Sequence, residues 1–185
     1  MKINLDCKKT LILVALEKEL PKRMAPSWNI HYTGVGKVNA ALAVAKFYQI
    51  YKPDLIINFG TAGSLNDNLN GLVQINTFKQ RDMDVSPLGF PFGDTPFDDL
   101  SSITYDYDGY SCGTGDSFVT GKQNVISDIV DMESFSIAKF CYINHINFYC
   151  FKFISDHADA DAANDWSSNL KNGANCFIKN ILIQK

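Results

Sequence analysis

Arginine is nearly absent from this chain: Arg23 and Arg81 are the only two. A net charge of −3 over 185 residues argues against phosphate-backbone binding as the main task, and no nucleic-acid partner is expected. Histidine is scarce as well, at three, and the five cysteines (Cys7, Cys112, Cys141, Cys150 and Cys176) show no pair at metal-ligand spacing. That odd, scattered set reads as reduced thiols, mostly in the core, in a cytoplasmic protein without a metal site. No apolar run approaches membrane-spanning length, so no membrane partner is expected. Lys8 and Lys9 precede an apolar run, but Glu17, Lys18 and Glu19 end it too early for a secretory signal. Repeats, low-complexity tracts and clear linkers are missing too.

What is present is an ordinary globular composition, 46% hydrophobic and 20% charged, in a length that suits a single domain spanning residues 1–185. Residues 10–15 form an aliphatic run suited to a strand buried on both faces. Further strands are expected at 30–33, 55–59, 73–78, 126–130 and 148–154, with alternating short strand signals at 103–112. An amphipathic helix is expected at 37–51, its apolar stripe running through Val38, Leu42, Ala45 and Tyr48 or Gln49, with Pro53 as its stop. Two more helices are expected at 134–142 and at 166–183, the latter interrupted by Gly173. Residues 60–64 and 113–118 read as tight glycine loops, and 159–165 as an acidic, alanine-rich loop. Residues 81–97 have no helical period, yet Leu88, Phe90, Phe92 and Phe97 make them too apolar for a solvated loop. Such a segment is expected to pack on something, a second subunit included. The alternation of strands and helices predicts the α/β class: a three-layer α/β/α domain with a central mixed sheet.

Polar groups recur at the ends of these strands: Glu17 and Glu19, Thr61-Ala62, Met132-Glu133, and Ser155-Asp156. Open α/β sheets bind ligands at that edge. Glu133, at the junction of a strand and a helix, carries two acceptor oxygens that suit the vicinal hydroxyls of a ribose. Taken singly, each residue also has an ordinary role. Glu133 suits the first turn of a helix, Glu19 a solvated charge run, Asp156 a turn, and Phe118 the core. Trp166 suits the start of a helix packed on the sheet.

Seven stretches, in order, carry a resemblance. They are Ala15-Leu16-Glu17-Lys18-Glu19-Leu20, Thr33-Gly34-Val35-Gly36-Lys37-Val38-Asn39-Ala40-Ala41, and Ile57-Asn58-Phe59-Gly60-Thr61-Ala62-Gly63. Further along the chain come Asp82-Met83-Asp84-Val85, Thr114-Gly115-Asp116-Ser117-Phe118, Val130-Asp131-Met132-Glu133-Ser134, and Ile154-Ser155-Asp156-His157-Ala158-Asp159. Together they resemble the nucleoside phosphorylase/nucleosidase superfamily, and within it the 5'-methylthioadenosine/S-adenosylhomocysteine nucleosidases.

The resemblance implies a nucleoside substrate, no metal or organic cofactor, and a homodimer. It implies that Glu19 is the general base that activates water and that Asp156, oriented by Ser155, is the acid at purine N7. Met132 and Glu133 correspond to the ribose contacts; Thr61, Ala62 and Gly63 line the ribosyl side. Phe118 and Val119 correspond to the base pocket, and Trp166 to an aromatic lid residue. Val85 and Leu88 fall in the segment that reaches the neighbouring subunit's site. These residue types suit cleavage of an N-glycosidic bond, which passes through an oxocarbenium-like sugar and needs an acid at the leaving purine.

Phosphorylases of the superfamily carry an arginine where this chain has Asn58, and lack the pair Glu17 and Glu19. Water is therefore the expected nucleophile. The chain departs from the family in length, with the segments between Phe97 and Gly113 and between Phe118 and Met132 trimmed. The preferred 5'-substituent stays open. The alternatives are a purine nucleoside phosphorylase, a futalosine- or inosine-type nucleosidase, and a nucleoside-binding protein without catalysis.

Overall fold

The structure, a computed structural model, describes residues 5–119, 123–156 and 162–183, with the backbone alone for 162–169. Eight strands form the sheet: β1 (Thr10–Val14), β2 (Asn29–Tyr32), β3 (Leu55–Ser64), β4 (Gly71–Gln80), β5 (Ser102–Thr104), β6 (Tyr110–Thr114), β7 (Ile129–Asp131) and β8 (Asn147–Asp156). Three α-helices flank it: α1 (Lys37–Tyr51), α2 (Ser134–Ile143) and α3 (Ala162–Phe177).

Side chains alternate across a strand, so β1, buried on both faces, feeds two separate cores. Leu11 and Leu13 enter the core shared with α1 and α2, while Ile12 and Val14 enter the core shared with α3. Burying each such side chain stabilises the fold by roughly 1.5–3 kcal/mol. β8 alternates in the same way: Phe148, Cys150 and Ile154 join the first core, Phe151 the second. Lys152 lies in phase with the first set and is 1% exposed. The layers are thus those expected: helices on both faces of a mixed sheet.

The sheet also closes on itself. β1 pairs in parallel with β2 and β3, and β3 in parallel with β8. β8 then pairs antiparallel with β4, β4 in parallel with β6, and β6 in parallel with β7. β7 returns to the end of β3, where Gly63 faces Val130 and Ser64 faces Ile129. This ring explains why residues 60–64 are not the expected loop. β3 runs on through them: it stays paired with β8 as far as Gly63, across a register shift between Ala62 and Gly63, and takes β7 as a further neighbour at Gly63 and Ser64. Likewise Gly113 and Thr114 belong to β6 rather than to a loop.

Other boundaries move for identifiable reasons. The strand expected at 126–130 is Ile129–Asp131, because the Asp128 carboxylate takes the Ser111 N–H (2.8 Å) and hydroxyl (2.7 Å), and Ile126 is left 86% exposed. α1 has the expected span but presents a different face. Ala40, Ala43 and Val44 are buried, whereas Val38 and Leu42 are 69% and 68% exposed. Small side chains let the helix approach the sheet, and the larger ones point outward. α3 begins at Ala162 rather than Trp166, so residues 162–165 are helical, while 159–161 lie outside the described residues. Gly173 does not interrupt it. A Cβ there would stand 3.0 Å from Phe153 Cγ, so the glycine marks a close helix–sheet approach. Phe177 stacks on Phe59 at 4.2 Å, and one π-helical turn, Ile178–Leu182, comes after it. Residues 81–97 hold only a short 3-10 turn, Ser86–Leu88, and Phe97 is 98% exposed. No helix among the described residues is long and apolar enough to cross a membrane.

Candidate active site

The ends of β1, β3, β4, β6, β7 and β8 surround one cavity of about 190 Å³. Its lining brings together ten of the residues that the sequence marks as candidates: Glu19, Thr61, Ala62, Gly63, Phe118, Val119, Met132, Glu133, Ser155 and Asp156. These residues come from distant parts of the chain, and the strand ends alone bring them to one place.

Glu19 lies beyond the end of β1 and is 4% exposed. Its Oε1 accepts the Thr61 N–H (2.9 Å) and the Thr61 hydroxyl (2.8 Å); its Oε2 accepts the Leu16 N–H (3.0 Å). A carboxylate has about four lone-pair sites, so three donors fix the group and leave one site for a further donor. Gly60 makes this approach possible. A Cβ there would lie 3.3 Å from Glu19 Oε1 and 3.5 Å from Lys152 Nζ. Glu17, two residues earlier, is exposed.

Glu133 occupies the N-cap position of α2, yet its side chain makes no cap hydrogen bond. Its Oε1 accepts instead from the Gly36 N–H at the start of α1 (3.0 Å). Burial pushes its pKa up to about 7, and the Asp131 charge adds to the rise; Lys152 and the Gly36 N–H act against it. The capping of α2 falls to Asp131, whose Oδ2 accepts the Ser134 N–H (2.9 Å).

Asp131 and Lys152 form a salt bridge of 2.8 Å, each side chain 1% exposed. Asp131 Oδ1 also accepts the Thr114 hydroxyl (2.6 Å). Burial opposes the Asp131 charge, but the Lys152 ammonium and the two further donors hold its pKa below the usual carboxylate value. Lys152 titrates above its ordinary range, because Asp131, helped by other buried groups, outweighs the burial that would lower it.

At the end of β8 the Ser155 hydroxyl donates to Asp156 Oδ2 (2.7 Å); both residues are buried, at 3% and 7% exposure. On another wall Val119 is buried against Val130, while Phe118 is 57% exposed. Arg81, just beyond β4, also lines this wall. Val85 and Leu88 are not in this chain's cavity lining, and Leu88 is 71% exposed. Trp166 lies in α3, with its side chain outside the described part of the structure. Among the described residues no group of three or more His, Cys, Asp or Glu is placed to hold a metal ion.

Comparison with known proteins adds to this geometry. The family profile described as Phosphorylase superfamily matches residues 29–112. A 5'-methylthioadenosine/S-adenosylhomocysteine nucleosidase of Bacillus subtilis is 32% identical over 157 residues, covering 70% of this chain and 68% of that protein. The chain belongs to this nucleosidase family. A Haemophilus ducreyi member is 30% identical over 69% of this chain and 66% of its own length. Among solved structures, the Helicobacter pylori futalosine hydrolase superposes with a TM-score of 0.85 at 21% identity, covering 95% of this chain and 97% of that one. A putative 5'-methylthioadenosine/S-adenosylhomocysteine nucleosidase from Francisella philomiragia gives 0.83 at 21% identity, covering 96% and 100%. Both carry the same fold.

Reading the sequence alone misses three residues that build this nucleosidase-family site. Lys152 is a charge inside an otherwise apolar strand pattern, a signal that it needs a buried partner. Asp131 stands in one of the seven family-like stretches, but only its pairing reveals its weight. Arg81 is one of two arginines, and nothing in its neighbours places it at the cavity.

Proposed function

We propose that this chain is an N-glycosyl hydrolase acting on 5'-substituted adenosines, among them methylthioadenosine, S-adenosylhomocysteine and 5'-deoxyadenosine, to give adenine and the free ribose derivative. The observation that carries this reading is the meeting of Glu19, Glu133 and the Ser155–Asp156 pair in one cavity. Binding alone has no need of both an acid and a base, which argues against a nucleoside-binding protein without catalysis. In this reading Asp156, held by Ser155, donates a proton to purine N7 as the glycosidic bond breaks. The sugar passes through an oxocarbenium-like state, and water attacks it as Glu19 accepts the proton that water loses. Glu133 takes the ribose 2' and 3' hydroxyls, with Met132, Thr61, Ala62 and Gly63 along the sugar. Phe118 stacks on the base and Val119 borders it.

Two features favour water over phosphate. Asn58, at the position of the phosphorylase arginine, is 1% exposed, and its Nδ2 donates to the Leu13 carbonyl (3.0 Å). The terminal nitrogens of Arg81 are engaged by the loop after β6. The test is product release by chromatography in phosphate-free buffer from methylthioadenosine, S-adenosylhomocysteine, 5'-deoxyadenosine, adenosine, inosine and futalosine, each repeated with phosphate. Adenine without phosphate is the expected product, and the ranking sets the 5' preference. Release only with phosphate would make the chain a phosphorylase.

The same reading includes a homodimer in the cytoplasm, in which Val85 and Leu88 reach the neighbouring cavity. Support comes from exposed apolar side chains: Val38 and Leu42 on α1, Leu88 at 71% and Phe97 at 98%. Light scattering is expected to give twice the chain mass; an active monomer would remove Val85 and Leu88 from the site.

Glu133→Gln is expected to trade activity for stability. With a folded pKa near 7, above its ordinary value, Glu133 binds a proton more tightly when folded. Its contribution therefore falls as pH rises between about 4.5 and about 7. The variant should melt higher than the parent at pH 8 and close to it at pH 4.5, while KM for the nucleoside rises roughly tenfold through weaker diol contacts. A parent that melts higher at pH 8 would contradict the buried charge.

A further inference from the structure

We propose that Arg81 and Asp82 form a two-sided clamp on the loop after β6, with Arg81 the positioning residue that sets the base side of the cavity. The inference rests on the nucleosidase reading and deepens it. The loop Gly115-Asp116-Ser117 leads directly into Phe118 and Val119; the Gly115 N–H still donates to the Asp131 carbonyl (3.1 Å), and beyond it side chains from elsewhere hold the loop. Arg81 is 5% exposed. Its Nη2 donates to the Gly115 carbonyl (3.0 Å) and to the Ser117 carbonyl, and its Nη1 to the Ser117 hydroxyl (3.2 Å). From the other side, Asp82 Oδ2 accepts the Asp116 N–H (2.8 Å), and Asp82 Oδ1 accepts Lys37 Nζ (2.5 Å).

Gly115 passes between the two clamp residues. A Cβ there would lie 2.9 Å from Arg81 Cγ and Cζ and 2.9 Å from Asp82 Cγ, so only glycine lets the backbone through. The start of α1 completes the arrangement. The Lys37 N–H holds Asp116 Oδ1 (2.7 Å), and the preceding amide, Gly36 N–H, holds Glu133 Oε1 (3.0 Å). The base loop and the ribose carboxylate therefore hang on adjacent amides, so the clamp fixes the base wall in register with the sugar site.

The composition of the clamp points to the loop as its purpose. Among the described residues the hydrogen bonds of the Arg81 guanidinium go to carbonyls and a hydroxyl of that loop, and its buried Nε has no hydrogen-bond partner there. Burial works against the Arg81 charge, and the nearby Asp82, Asp131 and Asp116 carboxylates offset part of that cost, but its hydrogen bonds go to neutral acceptors of the loop. A planar fork of fixed donors, however, holds two carbonyls in one geometry, which a lysine cannot do.

The test compares Arg81→Met, Arg81→Lys and Gly115→Ala with the parent. Steady-state kinetics would use the best adenosine substrate, and calorimetry would measure binding of free adenine, which probes the base side alone. Arg81→Met is expected to raise KM and weaken adenine binding, each at least about tenfold, with kcat changed less. Arg81→Lys should fail to restore either, because it supplies charge without the fork. Gly115→Ala should reproduce the loss by wedging the clamp open, and it decides the matter if Arg81→Met does not fold. KM and adenine affinity within about twofold of the parent in Gly115→Ala, or full rescue by Arg81→Lys, would overturn the clamp. A parent that releases no base would instead defeat the nucleosidase reading, and adenine calorimetry on the same variants would still judge the clamp.

Discussion

The Asp156→Asn protein is expected to bind nucleoside and turn it over at least about 10²-fold more slowly than the parent. Asparagine matches the shape of aspartate and keeps an acceptor for the Ser155 hydroxyl, which donates to Asp156 Oδ2 at 2.7 Å. What it loses is a proton to give to N7. The loss belongs to the transition state, so kcat should fall while KM moves little. Single-turnover release of adenine, with nucleoside affinity measured alongside, separates the two quantities. A rate near that of the parent would remove Asp156 from the chemistry. Glu19→Gln should lower the rate on the same scale, with a structural cost that Asp156→Asn avoids. The Glu19 carboxylate accepts three donors, two from Thr61 on Oε1 and one from Leu16 on Oε2. A glutamine can turn its one oxygen toward Thr61, but its NH₂ then faces the Leu16 N–H, donor against donor. A melting temperature lowered by the equivalent of about 1–3 kcal/mol should accompany the lost rate. An unchanged melting temperature would mean that the Leu16 contact carries little weight.

The parts of this site visible in the sequence share one property: each stands next to an apolar run long enough to mark a strand. Glu19, Met132-Glu133 and Ser155-Asp156 all come directly after such runs, so the edge they occupy can be inferred before their neighbours are known. The rest depends on pairings between distant segments. The antiparallel contact of Gly63 with Val130 closes the strand ring, and it is only two residues long. Glycines at 60 and 63 suggest a turn by local rules, whereas here both lie within β3, Gly60 close against Glu19 and Gly63 paired with β8 and β7 at once. The inner face of α1 is easily misjudged because Val38 and Leu42 are its largest early apolar residues. The sheet instead accepts Ala40, Ala43 and Val44, and the larger pair is left at the surface. Arg81 stays hidden because a buried cation looks like a surface one until its acceptors are known, and Lys152, although its apolar strand marks it as buried, does not reveal Asp131 as its partner.

Lys152→Met is expected to cost about 3–5 kcal/mol of stability near pH 7.5, because it leaves the Asp131 charge buried without its cation. The pair is 1% exposed on both sides, so solvent does little to screen it. Thr114 and Ser134 still donate to Asp131, which offsets part of the penalty but supplies no net positive charge. The pH dependence has a definite sign. Asp131 has a folded pKa below its ordinary value, so its contribution is present above the unfolded carboxylate pKa and is lost as pH falls through the folded one. Lys152 has a raised pKa, so its share is full below the unfolded ammonium pKa and is lost as pH rises through the folded one. Neutral pH lies inside that window, and the gap between parent and variant should narrow in acid, where Asp131 can protonate. The variant also bears on the ribose site. Lys152 is one of the two groups that hold the Glu133 pKa down toward about 7; without it, Glu133 should titrate higher. The acid limb of kcat/KM should then move to higher pH, in a protein that still folds at low temperature. Denaturant unfolding at several pH values checks the first effect, and a pH–rate profile checks the second. A destabilised variant whose acid limb has not moved would leave Lys152 a structural counter-ion to Asp131, and would mean that Glu133 does not set that limb.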